Sequence, residues 1–258
     1  MACIIHPTAI VHPQAIIEDG CQIGPYCIIG SQVHLLNGCQ LLSHVVIEGP
    51  ATIGQNNIFH PFCSIGSRSQ DLKYSHEPTY LEIGENNRFR EACTVNRATS
   101  PGGVTRIGSH NNFLAYCHIA HDCVVGNHCV FSNNATLAGH VVVEDHVVIG
   151  GLTAVHQFCR LGRMAMLGGC TKIVQDVVPY TIVDGNPATT RALNSVGLDR
   201  NHVSPTTQEA LQAAFKLLFK SGFNTTQALE KILALEPCPP EVQHLVEFVR
   251  CSKRGIIK

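Results

Sequence analysis

The chain has 258 residues, 45% hydrophobic and 14% charged, with 18 basic against 19 acidic side chains. A net charge of −1 lacks the basic excess that binding a polyanion demands, so no nucleic acid is expected as a partner. No apolar run reaches the roughly 18 residues that span a bilayer, and the start Met1-Ala2-Cys3-Ile4-Ile5 has neither a basic region nor a long apolar stretch. A soluble, cytoplasmic protein without a membrane span or secretion signal is therefore expected.

The first predicted element starts at Ile5. From there an aliphatic or aromatic residue returns at every sixth position, through Val11, Ile17, Ile23, Ile29, Leu35, Leu41 and onward to Ile173. Of the 29 positions in this series, 26 keep the pattern, and only Asp71, Glu77 and Pro101 break it. A period of six belongs to neither an α-helix nor an ordinary strand; it marks a parallel β-helix whose triangular coils each take three hexads. Residues 1–188 are accordingly assigned to a β-helical prism of roughly nine coils, about 45 Å tall at the spacing of hydrogen-bonded strands.

The same phase explains most of the 13 cysteines. Cys21, Cys27, Cys39, Cys63, Cys93, Cys117, Cys123, Cys129 and Cys159 each lie four residues after a position of the series. They read as small buried fillers of a coil corner rather than metal ligands or nucleophiles. So many free thiols also suit a reducing compartment. Gly24, Gly30, Gly54, Gly66, Gly84, Gly108, Gly126, Gly150, Gly162 and Gly168 directly follow the aliphatic position, and the expectation is that they supply backbone angles closed to other residues.

Two segments interrupt the prism. Residues 67–82 lose the pattern and are polar, and residues 100–106 contain Pro101, Gly102 and Gly103. Both are expected to loop out, as segments that carry function on a rigid scaffold commonly do.

Further on, the 18-residue coil places His121, Gly139 and Gln157 in one column and Asp122 and His140 in the next. All 13 histidines of the prism fall outside the inward phases, so they are expected to face outward. Most are solvated surface residues. The group His118, His121, Asp122 and His140 differs because polar side chains converge there from consecutive coils. A neutral imidazole beside a carboxylate can take a proton from a hydroxyl, and the Gly139 backbone N–H can face a developing oxyanion. The alternative for the same histidines is a zinc site.

After Ile173 the period stops. Residues 178–188 read as an exit segment rich in turn residues, and 189–258 as a helical subdomain. There Leu211, Ala214, Phe215, Leu218 and Phe219 line one face of a helix over 205–221, with Ser204 as its N-cap and Gly222 as its stop. Shorter helices are predicted over 225–235 and 240–252. Lys216, Lys220, Arg250, Lys253, Arg254 and Lys258 concentrate positive charge in this tail, as docking of an acidic protein would require.

Several motifs together carry a family resemblance: Gln70-Asp71-Leu72-Lys73-Tyr74, His118-Ile119-Ala120-His121-Asp122-Cys123, Asn133-Asn134 with Gly139-His140, Ala154-Val155-His156-Gln157-Phe158, and Gly185-Asn186. With them the chain resembles the UDP-N-acetylglucosamine O-acyltransferases of lipid A biosynthesis, hexapeptide-repeat acyltransferases, from its first hexad to its tail. The resemblance implies a left-handed parallel β-helix with a C-terminal helical subdomain, assembled as a homotrimer. It implies an (R)-3-hydroxyacyl carrier protein as donor, its phosphopantetheine thioester carrying the acyl group, and no cofactor or metal of the enzyme's own. His121 would be the general base, held by Asp122, with Gly139 at the oxyanion. Gln70, Asp71, Lys73, His118, His140 and Gln157 would contact UDP-N-acetylglucosamine, and Asn194 and Arg200 its uridine-diphosphate end. His156 and Gly169 would line the acyl groove, the glycine leaving it open to a donor of roughly fourteen carbons. Val196 and Pro187 depart from residues common in the family. Competing readings are another hexapeptide acyltransferase, a γ-type zinc carbonic anhydrase and a structural or ice-binding β-helix.

Overall fold

The computed structural model describes residues 2–258. Strands of mostly two to four residues stack, all but the last in parallel, into three sheets of 11, 9 and 8 strands, the faces of a triangular prism. The coil repeat is the expected one: Ile4 pairs with Gln22, His118 with Thr136 and Thr136 with Ala154. The six-residue series points inward and forms one continuous core from Ile23 to Ile173. Phe59, Phe89, Phe113 and Phe131 stack inside it at 4.7–5.0 Å between ring centroids.

The nine phased cysteines are buried and free. They do more than fill space. Cys21, Cys39, Cys117, Cys123 and Cys129 each donate an S–H to the carbonyl fifteen residues on, at 3.0–3.2 Å. Burial pushes the thiols of Cys39, Cys123 and Cys129 up to about 12, which leaves them inert at neutral pH. Where asparagine takes this corner, at Asn57, Asn87 and Asn111, the amides form a buried ladder. Each donates its Nδ2–H to a glycine carbonyl, and the Oδ1 of one accepts the backbone N–H of the next.

The corner glycines have a different reason from the expected one. Of the ten named, only Gly66 has a positive φ. The left-handed conformation falls two residues later, on Tyr26, His44, Phe62, Tyr116, Asp122, His140 and their counterparts in other coils. Glycine is needed because the next coil passes too close. A Cβ at Gly108 would lie 2.6 Å from the Gly126 carbonyl oxygen, and one at Gly150 would lie 2.6 Å from the Gly169 nitrogen.

The first excursion runs over 68–79, inside the expected 67–82, and the second over 97–103, three residues earlier than the expected 100–106. Thr94 pairs with Ser64, thirty residues back, and His118 with Thr94, twenty-four back. The coil therefore gains an excursion between strands Ser64–Ser67 and Tyr80–Ile83, and a shorter one between Thr94–Asn96 and Val104–Ile107.

The exit segment is not merely turns. Thr181–Asp184 adds a last parallel strand beside Met166–Leu167, then turns back against Thr189–Leu193 in an antiparallel pair. The β-branched run Thr181-Ile182-Val183 favours this, and the turn residues are confined to 185–188. The boundary placed at 188 falls in that turn. The tail comprises α1 (Ser195–Arg200), α2 (Pro205–Phe219), α3 (Thr225–Leu233) and α4 (Pro240–Arg250). Ser204 caps α2 by accepting the Thr207 N–H. The helices have their own core, which includes Val178 and Tyr180 from the prism's end. No helix among the described residues is long and apolar enough to cross a membrane.

Candidate active site

The coil register brings His118, His121, Asp122, Gly139 and His140 together on the outer surface near one corner. His121 Nδ1 lies 2.8 Å from Asp122 Oδ2, and His140 Nε2 lies 3.7 Å from the same oxygen. The rings of His121 and His140 meet edge to face at 5.3 Å, and Phe158, one coil on, stacks on His140 at 4.7 Å. Phe158 belongs to the column of Asp122 and His140; the 18-residue count pointed to it, and only the chemistry-bearing residues of that column were singled out.

His121 stands on the outer side of the prism, yet it is only 9% exposed. It faces outward as its phase requires, and the second excursion covers this corner. The Thr99 N–H donates to Asp122 Oδ2 at 3.1 Å, and a Cβ on Gly103 would lie 3.3 Å from Asp122 Oδ1. Asp122 is fixed from behind as well, its own N–H donating to the buried Thr105 hydroxyl at 2.8 Å. Although Thr99 and Thr105 both stand in the inward phase of the cysteines, the sequence period linked neither to Asp122.

Gly139 is where glycine has a chemical consequence. A Cβ there would lie 2.6 Å from His121 Nε2, so any side chain would displace the ring. Neither the Gly139 N–H nor His121 Nε2 has a hydrogen-bond partner among the described residues. His118 Nδ1 is 2.7 Å from Thr94 Oγ1. Burial, with the neighbouring His121, lowers the His118 pKa below the ordinary histidine value, so His118 is neutral at pH 7 and adds no charge beside His121. The dyad can therefore accept a proton at Nε2 while the carboxylate stabilises the imidazolium.

The other expected residues are arranged in separate places. Gln70 and Asp71 line a cleft of about 580 Å³ with Ser69, Tyr74, His76 and Asn96. Asp71 Oδ1 accepts the Lys73 N–H at 2.9 Å, which sets the loop's turn, and Lys73 is exposed. Gln157 and His156 are exposed one coil beyond Gly139, with His156 Nδ1 3.4 Å from Arg254 Nη2 of the C-terminal segment. Gly169 lies beside the Gly151 backbone. Asn194 and Arg200 begin and end α1. The Asn194 side chain caps that helix by accepting the Gly197 N–H and donates to the Met164 carbonyl, while Arg200 is exposed. Neither touches the dyad.

With this geometry in place, comparison with known proteins is informative. The C-terminal part, residues 176–257, matches the model of domain 2 of UDP-N-acetylglucosamine O-acyltransferase, and residues 2–37 and 105–139 match the bacterial transferase hexapeptide. A structure of LpxA from Acinetobacter baumannii is 46% identical, with 99% of this chain and 100% of that one covered and a TM-score of 0.96. The chain belongs to the UDP-N-acetylglucosamine O-acyltransferase family. The Moraxella catarrhalis member is 45% identical over 98% of this chain and 99% of its own, with a TM-score of 0.94. The Arabidopsis member is 36% identical over 99% and 100%, with a TM-score of 0.88. The left-handed β-helix and helical tail implied by the motifs are the architecture of this family.

Proposed function

We propose that the His121–Asp122 pair is the general-base machinery of this family member, an acyltransferase of lipid A biosynthesis. The acyl group moves from an (R)-3-hydroxyacyl carrier protein to the glucosamine 3-hydroxyl of UDP-N-acetylglucosamine. The observation that carries the mechanism is the unpartnered Nε2 of an imidazole whose Nδ1 lies 2.8 Å from a carboxylate. His121 Nε2 takes the proton of the 3-hydroxyl as its oxygen attacks the thioester carbon. Asp122 accepts the Nδ1–H and offsets the charge on the ring. The Gly139 N–H faces the oxyanion. The attack forms the ester C–O bond; collapse of the tetrahedral intermediate restores the carbonyl and breaks the C–S bond, and the imidazolium gives its proton to the departing phosphopantetheine sulfur. No acyl-enzyme is formed.

Gln70, Asp71, Lys73, His118, His140 and Gln157 hold the sugar nucleotide in this reading, and Asn194 and Arg200 its uridine-diphosphate end. His156 and Gly169 line the acyl groove. No metal takes part. His121, Asp122 and His140 offer ligand atoms within 4.8 Å of one another, but Asp122 Oδ2 already accepts from both His121 and Thr99, which suits a proton-holding carboxylate better than a cation ligand. The working unit is a homotrimer. Tyr26, Phe62, Tyr116 and Leu152 stand exposed along one corner of the prism, an apolar stripe that a neighbouring prism would cover. The many free thiols favour a cytoplasmic setting.

His121→Ala is expected to fold and assemble as the wild type while activity falls by about 10²–10⁴. Mass spectrometry of the product from UDP-N-acetylglucosamine and a 3-hydroxyacyl carrier protein checks this. Activity within threefold of wild type would remove the base assignment.

A further inference from the structure

We propose that Thr99 is a positioning residue for the His121–Asp122 pair, and that the Ser69–Thr99 contact ties the sugar-binding loop to the base. The inference rests on His121 being the base. Asp122 Oδ2 receives two donors, His121 Nδ1–H at 2.8 Å and the Thr99 N–H at 3.1 Å. The torsion that turns a carboxylate is soft. One donor would leave it free to swing, whereas two donors from different segments fix the oxygen that faces the imidazole.

Thr99, however, lies outside the ladder of the prism, in the excursion between Thr94–Asn96 and Val104–Ile107. Its anchor is its own side chain: Thr99 Oγ1 lies 2.7 Å from Ser69 Oγ, with both residues buried. The Asp71 N–H donates to Ser69 Oγ at 3.1 Å. A continuous set of hydrogen bonds thus links the Asp71 N–H, the Ser69 and Thr99 hydroxyls and, through the Thr99 N–H, Asp122 Oδ2. The loop that carries Gln70, Asp71 and Lys73 and the carboxylate that orients the base are held by one buried contact. Order in the loop is passed to the dyad through it.

Thr99→Val keeps the shape and removes Oγ1. It is expected to lower kcat about tenfold, the scale seen when an outer hydrogen-bond partner of a reacting group is lost. The KM for UDP-N-acetylglucosamine should stay within twofold, and Thr99→Ser should restore kcat. In an Asp122→Asn background, Thr99→Val should cost nothing more. Ser69→Ala, which leaves segment 97–103 untouched, should give a smaller loss of kcat that likewise vanishes in that background and stands in for Thr99→Val should the latter fail to fold. Either variant keeping wild-type kcat, or losing as much with Asp122→Asn as without it, overturns the proposal and leaves the base assignment standing. Full activity in His121→Ala or Asp122→Asn alone would instead sink the base assignment itself.

Discussion

Two adjacent glycines show how a single Cβ separates packing from function. A Cβ on Gly168 would lie 2.8 Å from Asp184 Cγ, so a side chain there would have to displace that of Asp184. A Cβ on Gly169 would meet only the Gly151 backbone, at 3.3 Å and beyond. Folding therefore gives a much weaker reason for glycine at 169, and the proposed groove end gives a better one. Gly169→Met is expected to fold, to lose activity toward fourteen-carbon 3-hydroxyacyl donors and to retain it toward ten-carbon donors. Each buried CH₂ is worth about 0.8 kcal/mol, so every two methylenes that no longer fit, of the four by which these donors differ, shift the preference by about tenfold. Competition between the two carrier-bound donors measures it, and a wild type that already prefers ten carbons would refute the groove reading.

At the scale of elements, the tail is locked to the prism by a polar contact as well as by its own core. His244 of α4 places Nε2 3.1 Å from Glu144 Oε2 and Nδ1 3.0 Å from the hydroxyl of Tyr180. The Arg163 N–H donates to the same Glu144 oxygen at 2.7 Å, and the Arg160 guanidinium sits over the Phe248 ring at 4.1 Å. Burial alone would raise the Glu144 carboxyl, but the His244 hydrogen bond, the Arg163 N–H and the nearby cationic charge outweigh it and hold the group below the ordinary carboxylate value. A carboxyl depressed in the folded state stabilises fully above its unfolded value, near about 4.3. That stability is lost as pH falls through the folded value. Lowering the pH from about 5 to well below about 4.3 should therefore loosen the tail. Glu144→Gln should lower Tm at pH 7 and flatten the acid-induced fall, as thermal unfolding across that range would read. An unchanged slope in the variant would count against the latch.

For the whole molecule, the proposed carrier-protein donor calls for a docking surface near the site. Lys216, Lys220, Arg250, Lys253 and Lys258 are exposed on the tail. Arg254 is not a free surface charge: it is half-buried, donates through Nε and Nη2 to the Val174 carbonyl and reaches His156. The carrier surface is thus better tested at Arg250 and Lys253. Reversing both to glutamate should raise the KM for the acyl carrier protein several-fold, more at low salt than at high, since surface charge pairing is screened within about 8 Å at physiological ionic strength. The KM for UDP-N-acetylglucosamine should not move. Steady-state kinetics at two ionic strengths decide it, and equal constants for both substrates would remove the basic tail as a docking surface.

The six-residue period determined the prism, its 18-residue register and the columns that bring His121 to Gly139 and Asp122 to His140, because a stacked coil converts sequence separation directly into neighbourhood. The cysteine phase determined burial in the same way. The α-helical period and the Ser204 cap placed α2 for an equally local reason. Where the chain leaves the repeat, that conversion fails. The path of the excursions, the cover that Thr99 and Gly103 lay over Asp122, and the antiparallel return of Thr189–Leu193 depend on contacts between segments with no shared period. The corner glycines were visible in the sequence and their reason was not: close approach of a neighbouring coil is a distance between chain segments, and only the folded prism sets it.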